Sequence, residues 1–241
     1  MMNRRSVRSF VRRAGRTTAA QQRALARLWS RFGVDFSPAP LDLDAIHGRQ
    51  ADRVLEIGFG DGEALIDQAV ANPTLDYLGI EVYNPGIGHC LLHAEARNVT
   101  NLRLICHDAI EVLQLQIGDG ALHRINVYFP DPWPKKRHHK RRLLQPAFLE
   151  LAASRLAEHG SLHIATDWQN YAGHIDAAVA ACPSFSVAVR REHGGDQPLD
   201  RPVTRFERRG LKLGHRIFDW RLVRNSPSVA SPADQPDDQP A

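Results

Sequence analysis

The feature that most constrains this chain is an alternation that begins at Arg53 and continues almost to its end. Short apolar and β-branched runs near 53–57, 76–82, 102–106, 124–129, 161–166, 184–190 and 216–223 read as strands. Between them, segments near 62–71, 85–97, 109–114, 142–158 and 168–181 carry apolar residues at helical spacing. Strands alternating with helices at this spacing build βαβ units and a mostly parallel sheet. Ligands of such sheets bind beyond the carboxyl ends of the strands. The segment 191–215, rich in Arg and Gly, reads as a long loop before the final strand. A loop of that length in a compact domain is commonly functional.

A chain of 241 residues suits one large α/β domain with extensions. Residues 1–50 read as a basic N-terminal arm, a short helix near 21–32 and a linker; 51–224 as the main domain; 225–241 as a disordered acidic tail. No apolar run approaches the length of a membrane span. Three cysteines without CxxC spacing argue against a disulfide framework or a zinc site and fit a reducing compartment. His89 and His93 have the spacing of a zinc pair on a helix but lack a third ligand, so no metal is expected. The formal net charge of +4 hides clustering: the first thirty-odd residues and 135–142 are basic, the tail acidic. Clustered basic charge favours an anionic partner such as nucleic acid.

The first strand runs into Leu55-Glu56-Ile57-Gly58-Phe59-Gly60-Asp61-Gly62-Glu63. Glycines at alternate positions let the backbone turn tightly and approach a ligand. A dinucleotide fingerprint needs its third glycine where Glu63 stands, which disfavours a nicotinamide dehydrogenase. Glu56 and Asp61 surround the loop with negative charge, repelling a pyrophosphate and suiting a sulfonium with an ammonium group. That favours S-adenosylmethionine (SAM). Glu81 ends the second strand about twenty residues on, where a carboxylate accepts from ribose hydroxyls. Asp108 follows the third strand, placed to accept from adenine or to cap the next helix.

The fourth strand, ending Asn126-Val127-Tyr128-Phe129, meets Pro130-Asp131-Pro132-Trp133-Pro134. Three prolines in five residues can continue neither strand nor helix. Asp131 and Trp133 therefore sit on a stiff loop at the ligand-binding edge. Lys135 to Arg142 follow without an acidic residue. A carboxylate and an aromatic ring beside a dense cationic run suggest chemistry on a polyanion. Trp133 either stacks on a base or anchors the loop.

These motifs closely resemble one family, the tRNA (guanine-N7-)-methyltransferases that modify variable-loop guanosine 46. The matching stretches are FVRRAGRTTAAQ at 10–21, LEIGFGDGEAL at 55–65, YLGIEVYNPGIG at 77–88, HDAIEVL at 107–113, FPDPWPKKRHHKRR at 129–142, ATDWQNYA at 165–172 and TRFERRGLKLGH at 204–215. The resemblance implies a Rossmann-like class I SAM-dependent methyltransferase with a seven-stranded, mostly parallel sheet whose last strand is antiparallel. It implies cofactor contacts from Glu56, Gly58, Gly60, Glu81, Asp108 and Asp131, with Asp131 catalytic. It implies substrate contacts from Lys135, Asp167, Thr204, Arg205, Phe206 and Glu207. As carboxylates, Asp167 and Glu207 are suited to accept from guanine N1–H and N2–H₂ and not to meet phosphate, with Arg205 expected to hold one of them by an ion pair. Arg137, His138, His139, Lys140, Arg141 and Arg142 match an RNA-contacting run. The implied partner is tRNA, handled in the cytoplasm by a monomer or homodimer without metal or membrane. The acidic tail has no counterpart in the family. Rival readings are a methyltransferase of another substrate and a non-catalytic RNA-binding protein with a relic pocket.

Overall fold

The computed structural model describes residues 9–10, 15–195 and 201–226. Arg4, Arg5, Arg8, Arg12 and Arg13 of the expected arm, and the acidic tail beyond Ser226, lie outside the described residues.

The chain enters through α1 (Ala19–Phe32). The Thr18 hydroxyl accepts from the Gln21 N–H, and the Gln21 side chain accepts from the Thr18 N–H. This reciprocal box satisfies two donors that the first turn leaves open. Ala24, Leu28 and Phe32 recur every fourth residue and bury one helix face against Ile87, Leu91 and Ala94 of α4 (Asn84–Ala96). The stretch read as a linker holds a short helix, α2 (Leu43–His47), capped by Asp42.

The alternation then yields β1 (Arg53–Ile57), α3 (Glu63–Ala71), β2 (Asp76–Ile80), α4, β3 (Leu102–Ile105), α5 (Ala109–Leu115) and β4 (Leu122–Tyr128). After a 3₁₀ turn at Lys136–Arg141 come α6 (Pro146–Arg155), β5 (Leu156–Thr166), α7 (Gln169–Ala180), β6 (Phe185–His193), α8 (Arg205–Lys212) and β7 (Ile217–Arg224). The seven strands form one sheet in the order β3-β2-β1-β4-β5-β7-β6. β7 runs antiparallel to both of its neighbours, and the remaining pairs are parallel. Alternate residues face opposite layers: Leu55, Ile57, Leu78 and Ile80 enter one core, Val54 and Tyr77 the other.

The segment expected to be a loop contains α8. Only Glu207 and Gly210 of this helix are buried, so no apolar stripe exists for a periodicity to reveal. Its one local signal is Thr204, whose hydroxyl accepts from the Glu207 N–H at 3.1 Å as an N-cap. β5 also begins earlier than expected, because the chain leaves α6 at Leu156 in extended geometry.

A candidate methyltransferase site at the carboxyl edge of the sheet

The strand order reverses between β1 and β4, and a cavity of about 760 Å³ opens there. That volume is typical of small-molecule clefts. One wall is the turn after β1. Gly60 has φ 62°, a left-handed conformation costly for residues with a side chain. Its N–H donates to the Glu81 carboxylate at 3.0 Å, tying the first turn to the end of β2. Gly62, at φ 82°, lies so close to α4 that a Cβ would come within 2.5 Å of Cys90 Sγ. The third glycine thus serves helix packing. Glu81 also accepts from the Val82 and Tyr83 N–H groups, leaving the carboxylate fixed at the cavity edge. Burial pushes its carboxyl above the ordinary range, against the pull of these donors.

The opposite wall is the proline loop. Phe129 (φ 52°) and Trp133 (φ 45°) both adopt left-handed backbone, a strain that persists only where the surroundings enforce it. The surroundings are identifiable. Arg142 donates to the Pro132 carbonyl at 2.9 Å and to Asn170 Oδ1 at 2.6 Å, with its guanidinium over the Tyr171 ring. Trp133 donates from Nε1 to the Ser9 carbonyl, lies edge-on to His138, and carries the Arg141 guanidinium over its face. Trp133 therefore anchors the loop, and Asp131 is held facing the cavity. Arg142, 3% exposed, is spent on bracing; this corrects the expectation that it meets RNA. Lys135, Arg137 and Lys140 are exposed, while His138, His139 and Arg141 are half-buried.

Glu56 lies behind the glycine turn, 3% exposed, lining a smaller recess with Tyr128, Thr204, Arg205 and Phe206. Gln68 donates to it at 3.1 Å and accepts from Asn126 on β4. Burial raises the Glu56 pKa from 4.5 to about 7, with Gln68 and Asn126 opposing. Its share of stability is thus full below about pH 4.5 and is lost as pH rises through about 7. Thermal denaturation across that window is expected to show declining stability in the parent and a flatter profile in Glu56→Gln. Equal profiles would mean that Glu56 ionises normally.

Tyr128 borders both recesses and is 6% exposed, yet its hydroxyl has no hydrogen-bond partner among the described residues. Burial pushes its phenol well up, so it remains a proton donor. An orphaned donor between two acidic recesses fits a ligand with a cationic centre and a nearby acceptor, as SAM has. Asp108 caps α5 through the Ile110 N–H, while its neighbours His107 and Ala109 form the cavity wall.

α8 closes the remaining side. Arg205 and Phe206 line both recesses. Arg205 approaches Asp61 at 3.5 Å, not the expected Asp167 or Glu207. Asp167 pairs with His215 at 2.9 Å. Glu207, 1% exposed, pairs inward with Arg201 at 2.5 Å, and Arg201 also donates to Asp219 of β7 at 2.8 Å. Its guanidinium lies 5.3 and 5.5 Å from the Tyr128 and Phe129 ring centres. Sequence reasoning passed over Tyr128 and Arg201. No motif distinguishes them, since each matters through contacts remote along the chain. His89 and His93 stack at 4.2 Å, and among the described residues no three His, Cys, Asp or Glu side chains are placed to hold a metal.

A family model described as "Putative methyltransferase" matches residues 50–220. The chain is 52% identical over 217 residues to the tRNA (guanine-N(7)-)-methyltransferase of Alkalilimnicola ehrlichii, spanning 89% of this chain and 91% of that one. It is 50% identical to the enzyme of that name from Halorhodospira halophila, over 94% and 98% of the two chains. Among solved structures it is similar to a variant of the 16S rRNA (adenine(1408)-N(1))-methyltransferase of Catenulisporales acidiphilia with SAM. That match has a TM-score of 0.57 and 20% identity over 81% of this chain and 94% of that one. The antibiotic-resistance methyltransferase Kmr matches with a TM-score of 0.55, 17% identity, and 81% and 96% coverage. These two likenesses concern the fold. Half-identity along nine-tenths of the chain goes further, and with the cavity just described it places this protein in the tRNA (guanine-N(7)-)-methyltransferase family of SAM-dependent enzymes.

Proposed function

We propose that the cavity transfers a methyl group from SAM to N7 of guanosine 46 in the variable loop of tRNA. The observation that carries this reading is the meeting of three parts on one cavity: the acid-flanked glycine turn, the Asp131 loop and the Arg205–Phe206 end of α8. When bound, SAM supplies a methyl on a positively charged sulfur. Guanine N7 holds an in-plane lone pair, so no proton must leave before attack, and the product ring is cationic. The protein's task is alignment, exclusion of water and stabilisation of positive charge.

Glu56, Glu81 and Asp108 hold the cofactor from the strand ends, with Gly58 and Gly60 admitting it closely. Asp131 accepts from a guanine N–H and faces the charge that grows on the ring. Asp167, Thr204, Arg205 and Phe206 surround the base; Glu207 joins them only by exchanging its pairing with Arg201, as its carboxylate points inward. N7 lies in the deep, narrow major groove of A-form RNA, so the nucleotide must leave its stack at a cost of a few kcal/mol. Lys135, Arg137, Lys140 and Arg141 offset this through phosphate contacts, with His138 and His139 beside them. Residues 51–224 form the catalytic unit and residues 1–50 a basic extension that meets the tRNA.

No helix among the described residues is long and apolar enough to cross a membrane. The enzyme acts where its tRNA substrate is, in the cytoplasm. Incubation with tritiated SAM and unmodified tRNA, DNA or free nucleosides, followed by mapping of the labelled base, tests the proposal. Label confined to N7 of guanosine 46 is expected. Label on DNA, on free nucleosides alone, or on another tRNA position would overturn it.

A further inference from the structure

The cavity lining carries both signs of charge: Asp61, Glu81 and Asp131 share it with Arg16, Arg205 and Arg209. The arginines of α8 differ in how they are used. Arg205 approaches Asp61, and Arg208 pairs with Glu63 at 3.1 Å. Arg209 has no carboxylate or hydrogen-bond partner among the described residues, and neither has Arg16.

Both are built into position. Gly15 packs so tightly on Tyr83 that a Cβ would stand 2.2 Å from the Tyr83 hydroxyl, which holds the backbone before Arg16 at the cavity. Thr18 then caps α1 two residues later. Across the cavity, the pairing of Arg201 with Glu207 holds α8, and with it Arg209. Two exposed guanidiniums, with no carboxylate partner among the described residues, border a cavity that suits a cation, and the cationic donor offers them no compensation. An anion within reach of both would offset their charge. An uncharged guanine base cannot supply that charge. A backbone phosphate of the nucleotide can, and arginine forks match phosphate oxygens.

We propose that Arg16 and Arg209 form a clamp for a phosphate flanking the target guanosine, gripping the extruded nucleotide from two sides of the cavity. The proposal rests on the function proposed above and names the substrate group that opens the site to RNA and not to a free nucleoside. The clamp accounts for the position of two cations at the active-site mouth, separate from the 135–142 run.

The test compares the full-length parent with Arg16→Gln and Arg209→Gln on two tRNAs. One is native; the other carries an uncharged methylphosphonate at one or the other phosphate flanking guanosine 46. On native tRNA each variant is expected to lose about tenfold or more in kcat/KM, the size of one charge-assisted contact. The slope of log affinity against log salt should fall by about one. On the neutral-phosphate tRNA the parent should lose a similar factor, and the variants should lose nothing further. SAM binding, measured calorimetrically without RNA, should be unchanged. Losses that multiply between variant and methylphosphonate would overturn the clamp, as would weakened SAM binding, which would assign the arginines to the cofactor's carboxylate. A parent that leaves native tRNA unmethylated sinks the function and the clamp together. A parent that methylates native and neutral-phosphate tRNA equally sinks the clamp alone.

Discussion

Asp131→Asn is expected to slow methyl transfer about 10²–10³-fold, the usual cost of removing one preorganised electrostatic group. Asn keeps the size of the side chain and loses its charge, so what is removed is stabilisation of the cationic ring and one strong acceptor. The loop itself should survive. Its shape depends on three prolines, on Arg142 held to the Pro132 carbonyl and Asn170, and on Trp133 clamped by Ser9, His138 and Arg141. None of these contacts uses the Asp131 carboxylate. Asp131 also contributes to raising the Glu81 pKa, after burial as the main cause. The variant removes one of the negative charges facing the cationic cofactor, so SAM affinity is expected to fall modestly and rates are read at saturating SAM. Single-turnover rates at saturating tRNA and SAM, with filter binding of tRNA alongside, measure the effect. A full rate would remove Asp131 from the chemistry; a lost rate with equally lost tRNA affinity would make it a binding group only.

Arg201→Ala should destabilise the fold by about 3–5 kcal/mol, as when one partner of a buried ion pair is deleted. Glu207 and Asp219 are each 1% exposed; Glu207 would be left with uncompensated charge and Asp219 with only its contact to His193. Burial by itself would lower the Arg201 pKa, but the Asp219 and Glu207 carboxylates outweigh it and raise the value. The damage should be selective as well as global. Arg201 joins α8 to β7 and lies against the aromatic rings that end β4, just before the Asp131 loop. Arg201→Lys keeps the charge but cannot fork to two carboxylates, so it should recover part of the stability and little of the turnover. Urea unfolding and kcat on each variant check both halves. Stability of Arg201→Ala within about 1 kcal/mol of the parent would show that the network does not hold α8.

Much of this was legible along the chain. The βαβ alternation announced a parallel sheet, because strand and helix periods reflect which residues must leave water. The acids at 56, 81 and 108 and the glycine turn could be placed at one sheet edge, because parallel strands present their carboxyl ends together. Three prolines made the Asp131 loop readable, because proline restricts the backbone wherever it stands. α8 was not legible, as it buries almost no apolar surface and is held by ions instead of oil.

The run Lys135–Arg142 marks the boundary. Composition establishes that it is cationic, but Arg141 and Arg142 are the same letter with different fates. One covers the Trp133 ring; the other is buried beneath Pro132 and beside Asn170. Likewise Arg201, Arg205 and Arg209 lie within nine residues, yet one is sealed in the core, one faces Asp61 and one lines the cavity unpaired among the described residues. The chain's own pattern determined the sheet, its ligand edge and the residue types gathered there, since burial and backbone restriction are local properties. The choice of partner for each charge belonged to the tertiary structure alone. A guanidinium's energy depends on which distant carboxylates and rings share its desolvated space, and that neighbourhood exists only once the strands have met.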